Sequence, residues 1–382
     1  MAVFTRRNVL LGGAGIVVAG GAAAWLALRP KPVPIGFELS DEELAHANAL
    51  LKAHPAIDTH AHPGRTFTRG AKGLTGQMKL YAALGTFEKK AVAHMREGNM
   101  AAAAFATVSD FQVLGLGDTG LAAVREFEPG EAWESYKRQI GNMQALVDDG
   151  LVTRLDRPTD LALAHADGKI GAMFTAEGGD FLEGQADRIP EAYADGLRGI
   201  TIMHYAPNAL GDTMTGEEVH GGLTQAGVEV VQMMNTAGMV IDIAHASEAT
   251  CRGVLDATSK PLLCSHTHIL GDTVPDIHRF ITLELARDIA DAGGVIGVWP
   301  AGLGITDLNG LVDRAMELVN AVGIDHVTLG TDMDANYKPV METYKKTPWL
   351  VGGLIKRGLS DVDVMKIMGG NFMNVWEATA QP

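Results

Sequence analysis

The segment Asp58-Thr59-His60-Ala61-His62 places two imidazoles one residue apart. The apolar run Pro55-Ala56-Ile57 precedes it and Pro63-Gly64 follows. This pattern predicts a buried strand that ends in a turn. Alternate residues of a strand point to the same side, so His60 and His62 can aim at one point. Imidazole is a common ligand for zinc and related cations. Two histidines do not complete a metal site. The other ligands must come from distant parts of the chain that the fold brings to the same place.

The rest of the sequence alternates short apolar runs with longer stretches of three- and four-residue periodicity. Strands are expected near 56–60, 101–108, 170–176, 199–204, 239–244, 261–265, 295–299 and 326–331. Helices are expected over 130–149, 224–236, 247–258, 282–292 and 308–322. Ser40 with Glu43 forms a capping-box pattern that predicts a further helix to about residue 54. Eight β/α units without a second composition regime predict a single α/β domain, a (β/α)8 TIM-type barrel over 35–382. In such barrels the active site lies at the carboxyl ends of the strands.

That rule turns the run ends into a test. The first run ends in His60 and His62, and the third in Glu177 within Thr175-Ala176-Glu177-Gly178-Gly179. The fourth ends in His204, the fifth in His245, the sixth in His266 and the eighth in Asp332. A barrel would bring all of these to one mouth. A glutamate there can bridge two metals about 3.5–4 Å apart, and Gly178-Gly179 leave room beside Glu177. His60, His62, Glu177, His245 and His266 are therefore the candidate metal ligands. His268 is open between a ligand and a structural role, and Asp334 reads as structural. His46, His54, His94, His165, His220, His278 and His326 fall off the pattern and read as ordinary hydrogen-bonded residues. Asp58 has two readings, a carboxylate that orients His60 or a hydrogen bond within the barrel core.

Other motifs point elsewhere but lack support. Gly115-Leu116-Gly117-Asp118-Thr119-Gly120 matches G-x-G-x-x-G, yet it is far from the first β/α turn and carries an acid that would repel phosphate. Asp332-Met333-Asp334-Ala335-Asn336 starts like a calcium loop, but Tyr337 stands where a glycine is required and Thr343 where a glutamate is. No G-x-S-x-G elbow is present. Two cysteines preclude a disulfide framework, and Cys251 and Cys264 are expected to be free and buried.

Residues 1–34 hold four of the 31 basic groups and none of the 46 acidic ones, so the remainder is more acidic than the net −15 of the whole chain. Such a body does not suit a nucleic-acid partner, because phosphate backbones select basic surfaces. Thr5-Arg6-Arg7-Asn8-Val9-Leu10-Leu11 resembles a twin-arginine export signal, followed by an uncharged run over 8–28. A run of about 20 apolar residues can span a bilayer. Cleavage near Ala22-Ala23-Ala24 would release the protein to the periplasm. Retention would leave an inner-membrane anchor with the Pro-rich linker 29–34.

The ordered set His60/His62, Ala176-Glu177-Gly178-Gly179, His204, Asp242-Ile243-Ala244-His245-Ala246-Ser247, Ser265-His266 and Gly330-Thr331-Asp332-Met333-Asp334 resembles the membrane (renal-type) dipeptidase family of zinc peptidases, in the amidohydrolase superfamily. Gly370-Asn371-Phe372 is similar to that family's closing helix, and the resemblance covers roughly 40–380. It implies two Zn2+ ions, one on His60 and His62 and the other on His245 and His266, bridged by Glu177. It implies that His204 contacts the substrate carbonyl or the oxyanion. Arg279 would bind the substrate carboxylate, and Asp332 would be the catalytic acid/base. It implies hydrolysis of a dipeptide by metal-activated hydroxide, and a homodimer. His62 departs from it, since the family has aspartate there. The H-x-H opening also admits a related amidohydrolase activity on an N-acyl amino acid, a lactone or a cyclic amide.

Overall fold

The computed structural model describes residues 32–117, 120–271 and 279–381. The run over 8–28, Asp118 and His278 lie outside them. From Pro34 onward the chain is one compact unit. Eight parallel strands form its centre: β1 (Ile57–Ala61), β2 (Ala102–Val108), β3 (Gly171–Glu177), β4 (Leu197–Thr201), β5 (Val240–Asp242), β6 (Leu263–Thr267), β7 (Val295–Val298) and β8 (Val327–Leu329). Each pairs with the next in chain order. Every strand residue except Thr175 is buried, as expected when helices cover the outside and side chains fill the inside. This is the expected barrel, with all eight strands where apolar runs were seen.

The fourth strand ends three residues earlier than expected. Ile202 N–H still donates to Asp242 O at 3.0 Å, and the chain then turns away, held by Asp110. His204 therefore stands on the loop after β4. Several elements were not anticipated, among them helices Glu88–Glu97, Thr159–Ala166 and Thr347–Lys356. Leu114–Gly117 and Gly120–Ala123 form a small antiparallel hairpin, which absorbs the G-x-G-x-x-G match. Helix Gly76–Ala83 buries none of its residues, so it carries no amphipathic signal to read.

The expected helices are present at Glu131–Asp148, Gln225–Ala237, Glu248–Ala257, Leu283–Asp291 and Leu308–Val322. Thr224, Ser247, Thr282 and Asp307 cap four of them, each side chain accepting a first-turn N–H. Ser40 and Glu43 form the full capping box on helix Asp41–Ala53. The last helix, Asn371–Thr379, closes the amino-terminal end of the barrel. Phe372, Val375 and Trp376 pack on Ile57, Ala102, Val240, Leu263 and Val295, the first residues of five strands. Among the described residues, no helix is long and apolar enough to cross a membrane.

β1 and β8 meet beyond the end of β8, at an isolated bridge between Ala61 and Met333. Asp332 N–H donates to His60 O at 2.8 Å, and His62 N–H donates to Met333 O at 2.9 Å. The buried Asp58 carboxylate fastens this seam. One oxygen accepts Thr331 N–H at 2.9 Å and His60 N–H at 3.2 Å, and the other accepts the hydroxyls of Thr331 and Tyr344, the latter at 2.7 Å. Of its two readings, the barrel-core hydrogen bond is the one realised.

Removing a carboxylate that satisfies buried donors leaves those donors unpaired, at about 1–3 kcal/mol each. Asp58→Ala is expected to lower the unfolding free energy by about 3 kcal/mol, and Tyr344→Phe by about 1.5 kcal/mol. Urea unfolding in the presence of chelator measures both; a loss below about 1 kcal/mol for Asp58→Ala would remove the clamp role.

Candidate metal centre

Glu177, the last residue of β3, is buried at the barrel mouth with five histidines around it. Its Oε1 lies 3.2 Å from His60 Nε2, 3.1 Å from His245 Nε2 and 3.5 Å from His266 Nε2. Its Oε2 lies 3.2 Å from His62 Nε2 and 3.3 Å from His204 Nε2. Two groups with metal-ligand spacing result, His60–His62–Glu177 and Glu177–His245–His266, and both contain Glu177. Every residue named as a candidate ligand from the run ends lies in one of these two groups. Asp332 joins them, with Oδ1 3.4 Å from His62 Nε2.

The hydrogen bonding fits cations. His62 Nδ1–H donates to Ala106 O at 3.0 Å, which leaves Nε2 as a bare lone pair. Nε2 of His60 and of His62 are buried without a hydrogen bond. His245 Nε2 and His266 Nε2 face each other at 2.9 Å, and Ser265 Oγ holds His266 Nδ1 at 2.8 Å. Buried nitrogen lone pairs without donors are costly, and a divalent cation satisfies several at once.

Electrostatics divide the ring. Burial opposes charge on His60, but the Glu177 carboxylate outweighs it and lifts the pKa to about 9. His204 rises to about 9 in the same way, burial being overcome by Asp110 and Glu177. For His245, burial and then the Arg279 cation push the pKa well down; for His266, burial and the neighbouring imidazoles do so. Burial would raise Glu177, yet the surrounding histidines hold it well below the usual carboxylate range. Asp332 goes the other way, burial lifting it to about 6.

His245 and Asp332 both adopt left-handed backbone, with φ of 66° and 52°. Non-glycine residues in that region cost roughly 1–3 kcal/mol each. Both lie just past the ends of their strands, and the turn aims each side chain back over the mouth.

Arg279 closes one side. Its Nη2 is 3.0 Å from His245 Nε2, its Nη1 donates to Met214 Sδ at 3.1 Å, and its Nε has no partner. The guanidinium lies 5.0 Å over the Trp299 ring. Met214 and Phe280 also line a cavity of about 210 Å3.

Other residues fall outside the centre. His268 is buried against Glu317 at 2.9 Å, its pKa pressed down to about 3 by burial and Arg314, so its role is structural. Asp334 accepts Gly64 N–H at 2.7 Å, as a structural acid would. His46, His94, His165, His220 and His326 hydrogen-bond to peripheral groups. Cys251 and Cys264 are free and buried. Sequence reading missed Asp110, which is buried and accepts from His204 Nδ1 at 2.6 Å. It follows β2 by two residues, so the run-end rule would have found it had the second run been followed that far. It also undervalued Asp242, which accepts from Thr201 Oγ1, Ala244 N–H and Ser265 N–H and so ties three strands beneath the site.

Eight parallel strands in a ring, with histidines and a glutamate common to two ligand groups at the carboxyl mouth, make the architecture of a metal-dependent hydrolase barrel. The family described as membrane dipeptidase (peptidase family M19) matches residues 44–382, and the chain belongs to that family. Dipeptidase aclJ of Aspergillus oryzae is 30% identical over 226 residues, 55% of this chain and 52% of that protein. Dipeptidase tcpJ of Claviceps purpurea is 29% identical over 224 residues, 56% of this chain and 52% of its own. The chain thus spans about half the length of these curated relatives. The fold is shared with the probable dipeptidase PvdM from Pseudomonas aeruginosa, at a TM-score of 0.72 and 20% identity over 89% of this chain and 99% of that one. It is shared too with a metallo peptidase from Rhodobacter sphaeroides liganded with a phosphinate mimic of the dipeptide L-Ala-D-Ala, at a TM-score of 0.69 and 19% identity over 85% and 99%.

Glu177 stands in both ligand groups, whereas His268 stands in neither. Glu177→Gln is expected to lose most of the bound divalent metal and His268→Ala to retain it, as read by elemental analysis of purified protein. Equal metal in Glu177→Gln and wild type would remove the bridging role.

Proposed function

We propose that the chain is a binuclear zinc dipeptidase that hydrolyses the amide bond of dipeptides. Glu177 carries this reading, since its two oxygens face different histidines and it belongs to both ligand groups. Zinc ions held by His60, His62 and Glu177, and by Glu177, His245 and His266, would supply Lewis acidity and lower the pKa of a water to about 7. The names of the curated relatives and the dipeptide mimic in the Rhodobacter sphaeroides structure support the substrate class.

The chain's own residues supply the remaining chemistry. Asp332 accepts the proton as water adds to the amide carbon, and delivers it to the nitrogen as the C–N bond breaks. His204, with Nδ1 held by Asp110, donates from Nε2 to the developing oxyanion. Arg279 has an unpaired Nε and is buried, and a carboxylate is the partner that best satisfies a guanidinium. A dipeptide's terminal carboxylate placed there leaves the neighbouring cavity for the adjoining side chain. Export through the twin-arginine-like residues 5–11 is part of the same proposal, and rests on sequence.

Chelation is expected to abolish hydrolysis of a dipeptide panel and zinc to restore it; activity indifferent to metal removal would overturn the mechanism. Asp332 must be ionised to accept a proton. With burial setting its carboxyl at about 6, kcat/KM rises as pH increases through that value and falls below it, and bound cations draw the limb lower. Asp332→Asn removes that limb and reduces turnover by about 100-fold or more with metal content unchanged. Arg279→Ala raises KM for dipeptides far more than for substrates without a free carboxylate.

A further inference from the structure

We propose that Asp110 is a positioning residue for catalysis, fixing His204 so that its Nε2 points at the reacting carbonyl. The inference rests on the reading of His204 as the oxyanion donor. Both residues are buried, Asp110 on the turn after β2 and His204 on the loop after β4. Asp110 Oδ1 takes the proton of His204 Nδ1 at 2.6 Å. Asp110 Oδ2 accepts Tyr205 N–H at 3.1 Å and Ala206 N–H at 2.9 Å. All of these bonds go to residues 204–206, so the carboxylate sets both the tautomer of the ring and the path of the backbone that carries it.

Neutral imidazole has two tautomers, and a hydrogen bond to one nitrogen decides what the other can do. With Nδ1 turned to Asp110, Nε2 is the ring nitrogen that faces the site, 3.3 Å from Glu177 Oε2.

The surrounding chain is shaped for this contact. Ser109 Oγ–H donates to Gly178 O at 2.6 Å, so adjacent residues hold the flank of Glu177 and the ring of His204. Gly178 has φ +91°, and a Cβ there would stand 3.2 Å from Ser109 Cβ and 3.4 Å from His204 Cβ. Only a glycine lets the loops after β2, β3 and β4 approach so closely in that backbone conformation.

A double-mutant cycle separates positioning from mere support of the loops. The enzymes are wild type, Asp110→Ala, His204→Ala and the double variant, each zinc-loaded and assayed on L-alanyl-L-alanine. Asp110→Ala is expected to lower kcat by about 10–100-fold with KM and zinc content little changed, the usual effect of losing a partner that orients a catalytic ring. In the His204→Ala background the same change should cost less than about threefold. Equal losses in both backgrounds would overturn the proposal, as would full activity in Asp110→Ala. Asp110→Asn keeps an oxygen for Nδ1–H and is expected to recover part of the rate; should the alanine variant fail to fold, it is the asparagine variant that enters the cycle. Nitrogen-15 shifts of His204 give a second readout independent of turnover. In wild type Nδ1 is bonded to Asp110, and in either Asp110 variant the Nδ1 signal moves; an unmoved signal would also overturn the proposal. If wild type cleaves no dipeptide while the nitrogen signature holds, the proposed substrate class fails and the assignment of Asp110 as partner of His204 stands.

Discussion

Everything at the mouth of this barrel depends on the burial of one carboxylate. Glu177 is withdrawn from water, and an isolated buried carboxylate is too costly to persist unless it is protonated or compensated. Five imidazoles within 3.1–3.5 Å of its oxygens provide the compensation. They come from β1, β6 and the turns after β1, β4 and β5, and no local segment could gather them. The same arrangement leaves nitrogen lone pairs facing one another, as at His245 and His266, an arrangement that a divalent cation would satisfy.

The stability of the fold and the geometry of the site share residues. The junction of β1 with β8 runs through the backbone of His60, His62, Asp332 and Met333. Asp58 secures it from beneath through Thr331 and Tyr344. A movement that opened the seam would therefore separate two ligands from the acid beside them. Packing at the far end, where Phe372 and Trp376 fill the barrel, holds the opposite ends of the same strands. The mouth is rigid because both ends of the cylinder are tied, and rigidity is what lets donors be aimed before substrate arrives.

His62 replaces the aspartate of the family pattern, and the structure gives this a physical setting. Its Nδ1 is committed to Ala106 O, which directs Nε2 inward between Glu177 and Asp332. An imidazole supplies no negative charge where a carboxylate would, so the first group has one negative charge fewer. Asp332, 3.4 Å away, is the nearest carboxylate after Glu177 to make up the difference. A cation held there would face Asp332 more directly than if position 62 carried its own carboxylate.

The strands and the residues that meet at the mouth were legible in the sequence because both depend on local features. Apolar runs of strand length mark the buried sheet, and in a parallel barrel their carboxyl ends converge whatever the details of packing. Hence Glu177, His245 and His266 could be named from where their runs stop. Residues whose role depends on a distant partner could not be. Asp110 and Asp58 are ordinary acids in sequence; one becomes the partner of a histidine 94 positions away and the other the clamp of a seam 273 positions away. His268, two residues after the candidate ligand His266, faces Glu317 because the strand has ended at Thr267 and its alternation no longer holds. Sequence alone determined the barrel and which residues gather at its mouth. Tertiary structure alone decided which nitrogens face inward, which acids are held neutral or ionised, and how the ring closes, since these are fixed by contacts between strands that the chain makes only once it is folded.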